Sequence, residues 1–536
     1  MDLKKFFANI FIVFAFLMLF ISLIFSEVNA EVPDSYYIKN SIKPTKLYVI
    51  SLSKMTDAEK AMIVTLQGQV NNRSASHIYT LSLGEPDYEI WLRDLKNNYS
   101  VECELIEDPW EVLNKFKDYI DGYVLYSKNN KNDPSINNAS SLAALNNSII
   151  VEKSIEEKVK SKGITKLQGD CSNTDKYWAY DNLWNKGLNH SIIVQLSPTK
   201  AGPLRDYAIM TKSLVFYEDD PKDFSLRDKV FKAAKKDSIC LGWGPDEYNN
   251  IKEASKYGIN TVPSDWTYNL TVLSSLPSLH LTQNSHPKIV KEDNVHYVTF
   301  IMSDGDNQQW NLGKNYGSPK WYGSKDRGNF NMGWTITPSL YDLAPTVLQL
   351  YYKSAKFGIT NDNFVVSPSG NGYMYPSKFD EAALNIQIKK LNTYMKNVDQ
   401  KYVSILDDWA LDNIDIWNKY TKQPNIHGLF YLNFSKQNDY KGKIVWSNNK
   451  PIVSCRDLLW SKLEDNDQLV NRINSYISSG YTDVHSPDAY TFVYVHAWSK
   501  TMSDVQYVVD QLSNNSKVRI VTPDEFMQHV MENVKH

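Results

Sequence analysis

Two aspartates separated by one glycine, Asp304-Gly305-Asp306, follow the apolar run Val295 to Met302 and open the polar segment Asn307-Gln308-Gln309-Trp310. In an extended segment, side chains two residues apart point the same way. The pair therefore suits acid–base work or a metal, although an Asp-rich turn bonding its own backbone has the same composition. A second pair, Asp407-Asp408, follows Tyr402 to Leu406 and precedes Trp409, and here a helix cap by Asp408 is an equal alternative to a catalytic carboxylate. His496 ends the run Phe492 to Val495 and precedes Ala497-Trp498. An imidazole in that place serves as donor, base or ligand, or is simply satisfied by its neighbours. Glycoside hydrolysis needs two carboxyl groups flanking the scissile bond, about 5–5.5 Å apart for retention and about 6.5–9.5 Å for inversion. Asp304, Asp306, Asp407, Asp408 and His496 are accordingly the catalytic candidates.

Side chains that hold sugars surround these positions. Asn307, Gln309, Trp310, Trp409 and Trp498 adjoin the acids, and Asn371, Tyr373 and Tyr375 lie in the segment Ser367 to Pro376, where two glycines let the backbone turn toward a ligand. The chain carries 14 Trp and 34 Tyr against 20 Phe, so most of its rings have a polar edge, which suits a sugar-binding groove. Taken singly, each of Trp310, Trp334, Trp409 and Trp498 reads first as packed core and second as a sugar-stacking ring. Glu247, after Gly242-Trp243-Gly244-Pro245-Asp246, reads first as an acid favoured by the start of a helix, and second as a group reaching an interdomain cleft.

The elements that must position these residues are short apolar runs alternating with amphipathic helices. Five runs (Val295 to Met302, Phe364 to Val366, Tyr402 to Leu406, Leu429 to Leu432 and Phe492 to Val495) each lead into a polar loop, with helical patterns between several of them. Parallel strands of a βα barrel bring their carboxyl ends to one face. An α/β fold follows, with a TIM-like or distorted seven-stranded (β/α) barrel over 288–536. Ahead of it, Leu47 to Leu52, His77 to Leu83, Val101 to Ile106 and Gly122 to Tyr126 read as strands. Thr56 with Glu59 three residues on is a capping box opening a helix striped by Met62, Leu66 and Val70. The Asn- and Ser-rich stretch Lys128 to Asn147 reads as a boundary loop, and Ser285-His286-Pro287 as a linker. Small α/β domains are expected over 31–127, 128–190 and 191–287.

The segment Gly370-Asn371-Gly372-Tyr373-Met374-Tyr375-Pro376 fits G-x-G-Y-x-Y-P and resembles the GxGYxYP family of exported bacterial proteins, described as candidate glycoside hydrolases. Ser303 to Asn307, Gly333-Trp334, Leu459-Trp460, His496 to Trp498 and Leu66 to Asn71 are similar to its landmarks. The resemblance spans almost the whole chain after residue 30 and implies small α/β domains ahead of a barrel-like one. The last segment (His496, Ser503 to Leu512, Val518 to Val521, Thr522 to Phe526) also resembles the tail of polysaccharide deacetylase-like barrels. That resemblance implies a divalent metal at Asp304, Asp306 and His496, yet the histidine pair of those enzymes does not occur among the ten His.

The remaining composition narrows the classes. With 58 basic and 61 acidic residues, a net charge of -3 and no basic tract, a nucleic-acid partner has no electrostatic footprint. Lys4 and Lys5, the apolar run Ile10 to Phe25 and Val28-Asn29-Ala30 read as a signal peptide cut after Ala30, so a secreted or envelope-associated protein is expected. Uncleaved, the segment would tether the chain, the one expected membrane contact. Cys103, Cys171, Cys240 and Cys455 show no metal or redox spacing. No P-loop, G-x-S-x-G elbow or H-E-x-x-H is present. The expectation is a glycoside hydrolase acting on a polysaccharide or glycoconjugate without a cofactor. A metal-assisted deacetylase-like hydrolase and a non-catalytic glycan-binding envelope protein are the alternatives.

Overall fold

The computed structural model describes residues 35–283 and 289–535. The signal segment and the Ser285-His286-Pro287 linker lie outside the described residues. The first strand, β1 (Lys46–Ser51), pairs in parallel with β2 (Ser76–Leu81) and β3 (Glu102–Leu105) in the order β2-β1-β3. Between β1 and β2 runs the helix Asp57–Asn71, with the reciprocal Thr56–Glu59 cap that the spacing predicts. The second sheet is β4 (Gly122–Tyr126), β5 (Ser148–Glu152) and β6 (Leu167–Asp170), parallel and ordered β5-β4-β6. β4, grouped by sequence with the first portion, thus pairs with the strands that follow it. The third sheet joins β7 (Asn189–Gln195), β8 (Ser213–Phe216), β9 (Ser238–Gly242) and β10 (Ile259–Val262) in the parallel order β10-β9-β7-β8.

The expected loop over Lys128 to Asn147 is largely a helix, Ser135–Leu145. Its Asn and Ser side chains do not compete with the helix, because tertiary partners claim them. Asn137 donates to the Leu196 carbonyl and accepts from buried Arg205, and Asn138 donates to Thr174 and the Asp175 carbonyl. Ile136, Ala139, Ala143 and Ala144 supply the apolar face.

The C-terminal half holds β11 (His296–Met302), β12 (Met332–Thr335), β13 (Asp362–Val365), β14 (Tyr402–Asp407), β15 (Gly428–Asn433), β16 (Ile444–Ser447), β17 (Lys450–Ser454), β18 (Asp457–Leu459), β19 (Tyr490–Val495) and β20 (Val518–Ile520). They form two sheets. One runs β13-β12-β11-β19-β18 with β20 added on β11, all parallel, and the other runs β14-β15-β17-β16, in which only β16 and β17 are antiparallel. The expected barrel is therefore not found as a closed ladder. A single parallel bridge, Val366–Val403, links the sheets on one side. On the other, the chain changes sheets within two residues: the Cys455 amide donates to the Tyr431 carbonyl and the Arg456 amide to the Phe492 carbonyl. A strand that switches partners so abruptly cannot ladder with both. The architecture is mixed α/β with parallel sheets.

Candidate functional site

β11 is buried along its length, and its apolar side chains pack on both faces of the sheet. The chain then turns at Asp304, whose φ of +68° lies in the left-handed region that Asp tolerates better than most residues. The expected extended segment is thus a turn. Gly305 allows it, because a Cβ there would stand 1.8 Å from the Thr335 carbonyl oxygen at the end of β12. The Gly305 amide donates to the Thr335 hydroxyl, and Asn311 donates to the Gly305 carbonyl. Held this way, Asp304 and Asp306 border one cavity of about 240 Å³.

The cavity is also lined by Glu247, Tyr373, Trp460, Tyr494, His496 and Trp498, with Pro368, Leu406, Phe434 and Gln437 completing the wall. Protein encloses both aspartates on nearly all sides while leaving each a face toward the cavity. For Asp304, burial raises the pKa to about 6, while hydrogen bonds from the Ser303 hydroxyl and the Trp498 indole (2.6 Å) pull against burial and the charge of Glu247 adds to it. For Asp306, burial first and then the charges of Asp304 and Glu247 push the pKa up to about 8, opposed only by its own backbone N–H. His496 is lowered to about 4 by burial and is neutral at pH 7. Its ring stacks on Trp460 at 3.7 Å and 4°, and Nδ1 pairs with the Ser499 hydroxyl at 2.8 Å.

Glu247 is the residue that sequence reasoning set aside. It opens the helix Glu247–Lys256, capped by Asp246, whose side chain accepts from the Asn249 amide. That helix follows β9, and the strand order β8-β7-β9-β10 makes the space beyond β7 and β9 the point where successive crossovers part in opposite directions, the usual crevice for a ligand. The available signal was the same one used further on: an apolar strand, Ile239 to Gly242, running straight into a polar loop.

The G-x-G-Y-x-Y-P segment delivers Tyr373 to Glu247. Tyr373 pairs with Thr261 on the edge strand β10 through two backbone bonds, 2.7 Å from the Tyr373 amide and 3.2 Å from the Thr261 amide. Gly372 is needed at this approach, since a Cβ would lie 2.9 Å from the Asn260 Cβ and 3.1 Å from the Thr261 carbonyl oxygen. The Tyr375 amide donates to Ser255 on the helix Glu247–Lys256, and the Tyr373 hydroxyl donates to Glu247 at 2.8 Å. Trp243 stacks on the Tyr373 ring and Tyr375 meets it edge-on.

Other sequence candidates stand elsewhere. Asp407 is fully buried and accepts from the Ser377 amide (2.8 Å), the Ser377 hydroxyl (2.6 Å) and the Asp408 amide (2.8 Å), and burial raises it to about 6. Asp408 accepts from the Tyr248 hydroxyl at 2.8 Å. Neither borders the cavity; Leu406 does. Trp310 and Trp334 are core residues, the first edge-on to Trp321 and Trp498, the second donating to Asp362. Asn371 is buried and bonded to the Gln387 carbonyl, and Tyr375 packs among Tyr248, Tyr373 and Phe434. Gln309 accepts from the Trp266 amide, Asn307 stands at the N-cap of the helix Gln308–Gly313, and Trp409 is exposed beside Tyr440. Among the described residues, no group of three or more His, Cys, Asp or Glu is placed to hold a metal ion, so Asp304, Asp306 and His496 line one cavity but are not set as the metal ligands that the deacetylase resemblance implies.

Fold and cavity together define a mixed α/β protein in which acids from two distant stretches of chain face one ring-walled space. The chain belongs to the GxGYxYP family: residues 46–118, 120–188 and 190–275 match its first, second and third domains, and 294–531 match the domain described as "GxGYxYP putative glycoside hydrolase C-terminal domain". The tail falls inside that last match, and the deacetylase-like resemblance finds no support. A crystal structure described as that of a "putative hydrolase" from Bacteroides thetaiotaomicron is 33% identical, covers 94% of this chain and 97% of its own, and superposes with a TM-score of 0.85. No curated protein matches the chain.

Proposed function

We propose that the protein is an exported glycoside hydrolase acting on a polysaccharide or glycoconjugate at the Asp304–Asp306–Glu247 cavity. The observation that carries this is the separation of environments among acids sharing one space. Asp306, shifted to about 8, holds its proton at neutral pH, while Asp304, near 6, is largely ionised. Asp306 acts as general acid, passing its proton to the glycosidic oxygen as the bond to the anomeric carbon breaks. Glu247, steadied by Tyr373, is the facing carboxylate that activates water or attacks the anomeric carbon. Asp304 keeps Asp306 protonated and offsets positive charge developing on the sugar ring. Trp460, Trp498 and Phe434 offer faces for pyranose stacking. In this reading the two C-terminal sheets are an opened (β/α) barrel, with common strand direction and the Val366–Val403 bridge as support. The expected signal segment places the substrate outside the cytoplasm.

The test is a panel of polysaccharides digested by wild type, Asp306→Asn and Glu247→Gln, with reducing ends and released acetate measured together. The wild type is expected to release reducing ends, and the variants to lose about 10²- to 10⁴-fold. Acetate without reducing ends, or equal rates in the variants, would sink the reading. Glycan binding with no turnover on any substrate would favour a lectin-like protein.

A further inference from the structure

In the second sheet, as in the third, the first strand lies between the second and the third, so a crevice opens beyond the carboxyl ends of β4 and β6. A cleft of about 530 Å³ occupies this place, well apart in sequence from the acid-lined cavity. Its near walls are Asn129, Asn130, Asn132, Asp133 and Pro134, which follow β4, and 172–176, which follow β6. Pro198, Tyr217 and Asp219, which follow β7 and β8, close the far side. Two neighbouring sheets thus turn their strand ends toward one space within the ~300–1,000 Å³ range of small-molecule sites.

The lining chemistry selects among ligands. Carboxamides dominate: Asn129, Asn130, Asn132 and Asn173, with the hydroxyl of Thr174 beside them. Ser172, a residue 2% exposed, borders the cleft, and its buried hydroxyl has no hydrogen-bond partner. Among the described residues on the wall, Lys176 is the only cation, and Glu218 at 2.8 Å and Asp223 already hold it. With Asp175 and Asp219 also present, a phosphate or carboxylate ligand meets net repulsion. No large aliphatic side chain lines the space, which disfavours an apolar ligand, whereas Tyr217 offers one ring. A neutral, hydroxyl-rich molecule satisfies all of these constraints, because each sugar hydroxyl can both donate to and accept from carboxamides.

We propose that this cleft is a second glycan site that binds a neutral oligosaccharide chain independently of the acid-lined cavity. Binding here needs no chemistry, so the proposal does not depend on the hydrolase reading.

The experiment uses the full chain carrying Glu247→Gln, titrated calorimetrically with cellohexaose, maltohexaose and xylohexaose. Parallel titrations add Asn130→Ala with Asn173→Ala at the cleft, or Trp498→Ala at the cavity. At least one hexasaccharide is expected to bind, the cleft pair to weaken it about tenfold or more, as lost hydrogen bonds to a ligand do, and Trp498→Ala to leave that event intact. Both Asn side chains belong to loop residues, and thermal melts confirm folding; if the pair unfolds the chain, Asn173→Ala alone is read by the same criterion. Absence of binding across the neutral panel overturns the proposal. So does binding abolished by Trp498→Ala and not by the cleft pair, or tighter binding of hexagalacturonate or inorganic phosphate than of any neutral sugar. Reducing-end release, measured separately on Asp306→Asn, reports on the other site alone.

Discussion

Two aspartate pairs in the C-terminal half stand at the carboxyl end of a parallel strand, and only the one after β11 borders the cavity. At the end of β14, the Asp407 carboxylate is filled by three donors from Ser377 and Asp408. After β11, Asp306 has little beyond its own backbone N–H, and the neighbouring acids push it further from ionisation. The difference teaches that a carboxylate supplied with protein donors becomes a structural hub, whereas one buried beside like charges and short of donors holds on to its proton.

Substitutions can break this contrast. The largest effect is expected from Asp306→Asn, with kcat falling about 10²- to 10⁴-fold in the reducing-end assay while the fold is retained. The same variant sharpens the thermodynamic side. Asp306 has a folded value near 8, above its ordinary 3.8, so the folded state binds the extra proton and stability falls as pH rises between those values. Tm measured at pH 5 and pH 8.5 should drop more in wild type than in Asp306→Asn. Asp407→Ala inverts the pattern: the Ser377 amide and hydroxyl and the Asp408 amide lose their acceptor, costing about 1–3 kcal/mol in urea unfolding, while the folded variant turns over within a few-fold of wild type. The pH profile of kcat/KM is expected to be a bell, rising as Asp304 ionises near 6 and falling as Asp306 loses its proton near 8, with both limbs belonging to the coupled pair. Tyr373→Phe removes the hydroxyl on Glu247 and should lower kcat/KM about tenfold. Trp409→Ala, at an exposed ring outside the cavity, should change kcat less than about twofold.

The alternation of strands and helices was legible because buried parallel strands are nearly continuous apolar runs, as Val295 to Met302 shows. The turn at Asp304 to Asp306 was legible as a place for acids, but not its left-handed geometry, which depends on the Thr335 carbonyl arriving from another strand. The helix Ser135–Leu145 was hidden by polar side chains whose partners, Arg205 and Thr174 among them, are distant in sequence. The same blindness explains Glu247: a first-turn acid satisfies local helix electrostatics, and nothing nearby in sequence announces that Tyr373 will reach it. Asp407-Asp408 and Asp304-Gly305-Asp306 look alike for the same reason, since the donors that distinguish them come from the distant Ser377 and Trp498.

The bridge between Tyr373 and Thr261 covers the open edge of β10, and it couples two stretches that family comparison treats as separate modules. A chimera that exchanged either module alone between relatives would bring an ill-fitting edge to the clasp and mis-set one acid against the other two. Recombination within this family must therefore move residues 190–275 and 294–531 as one cassette if the cavity is to travel intact.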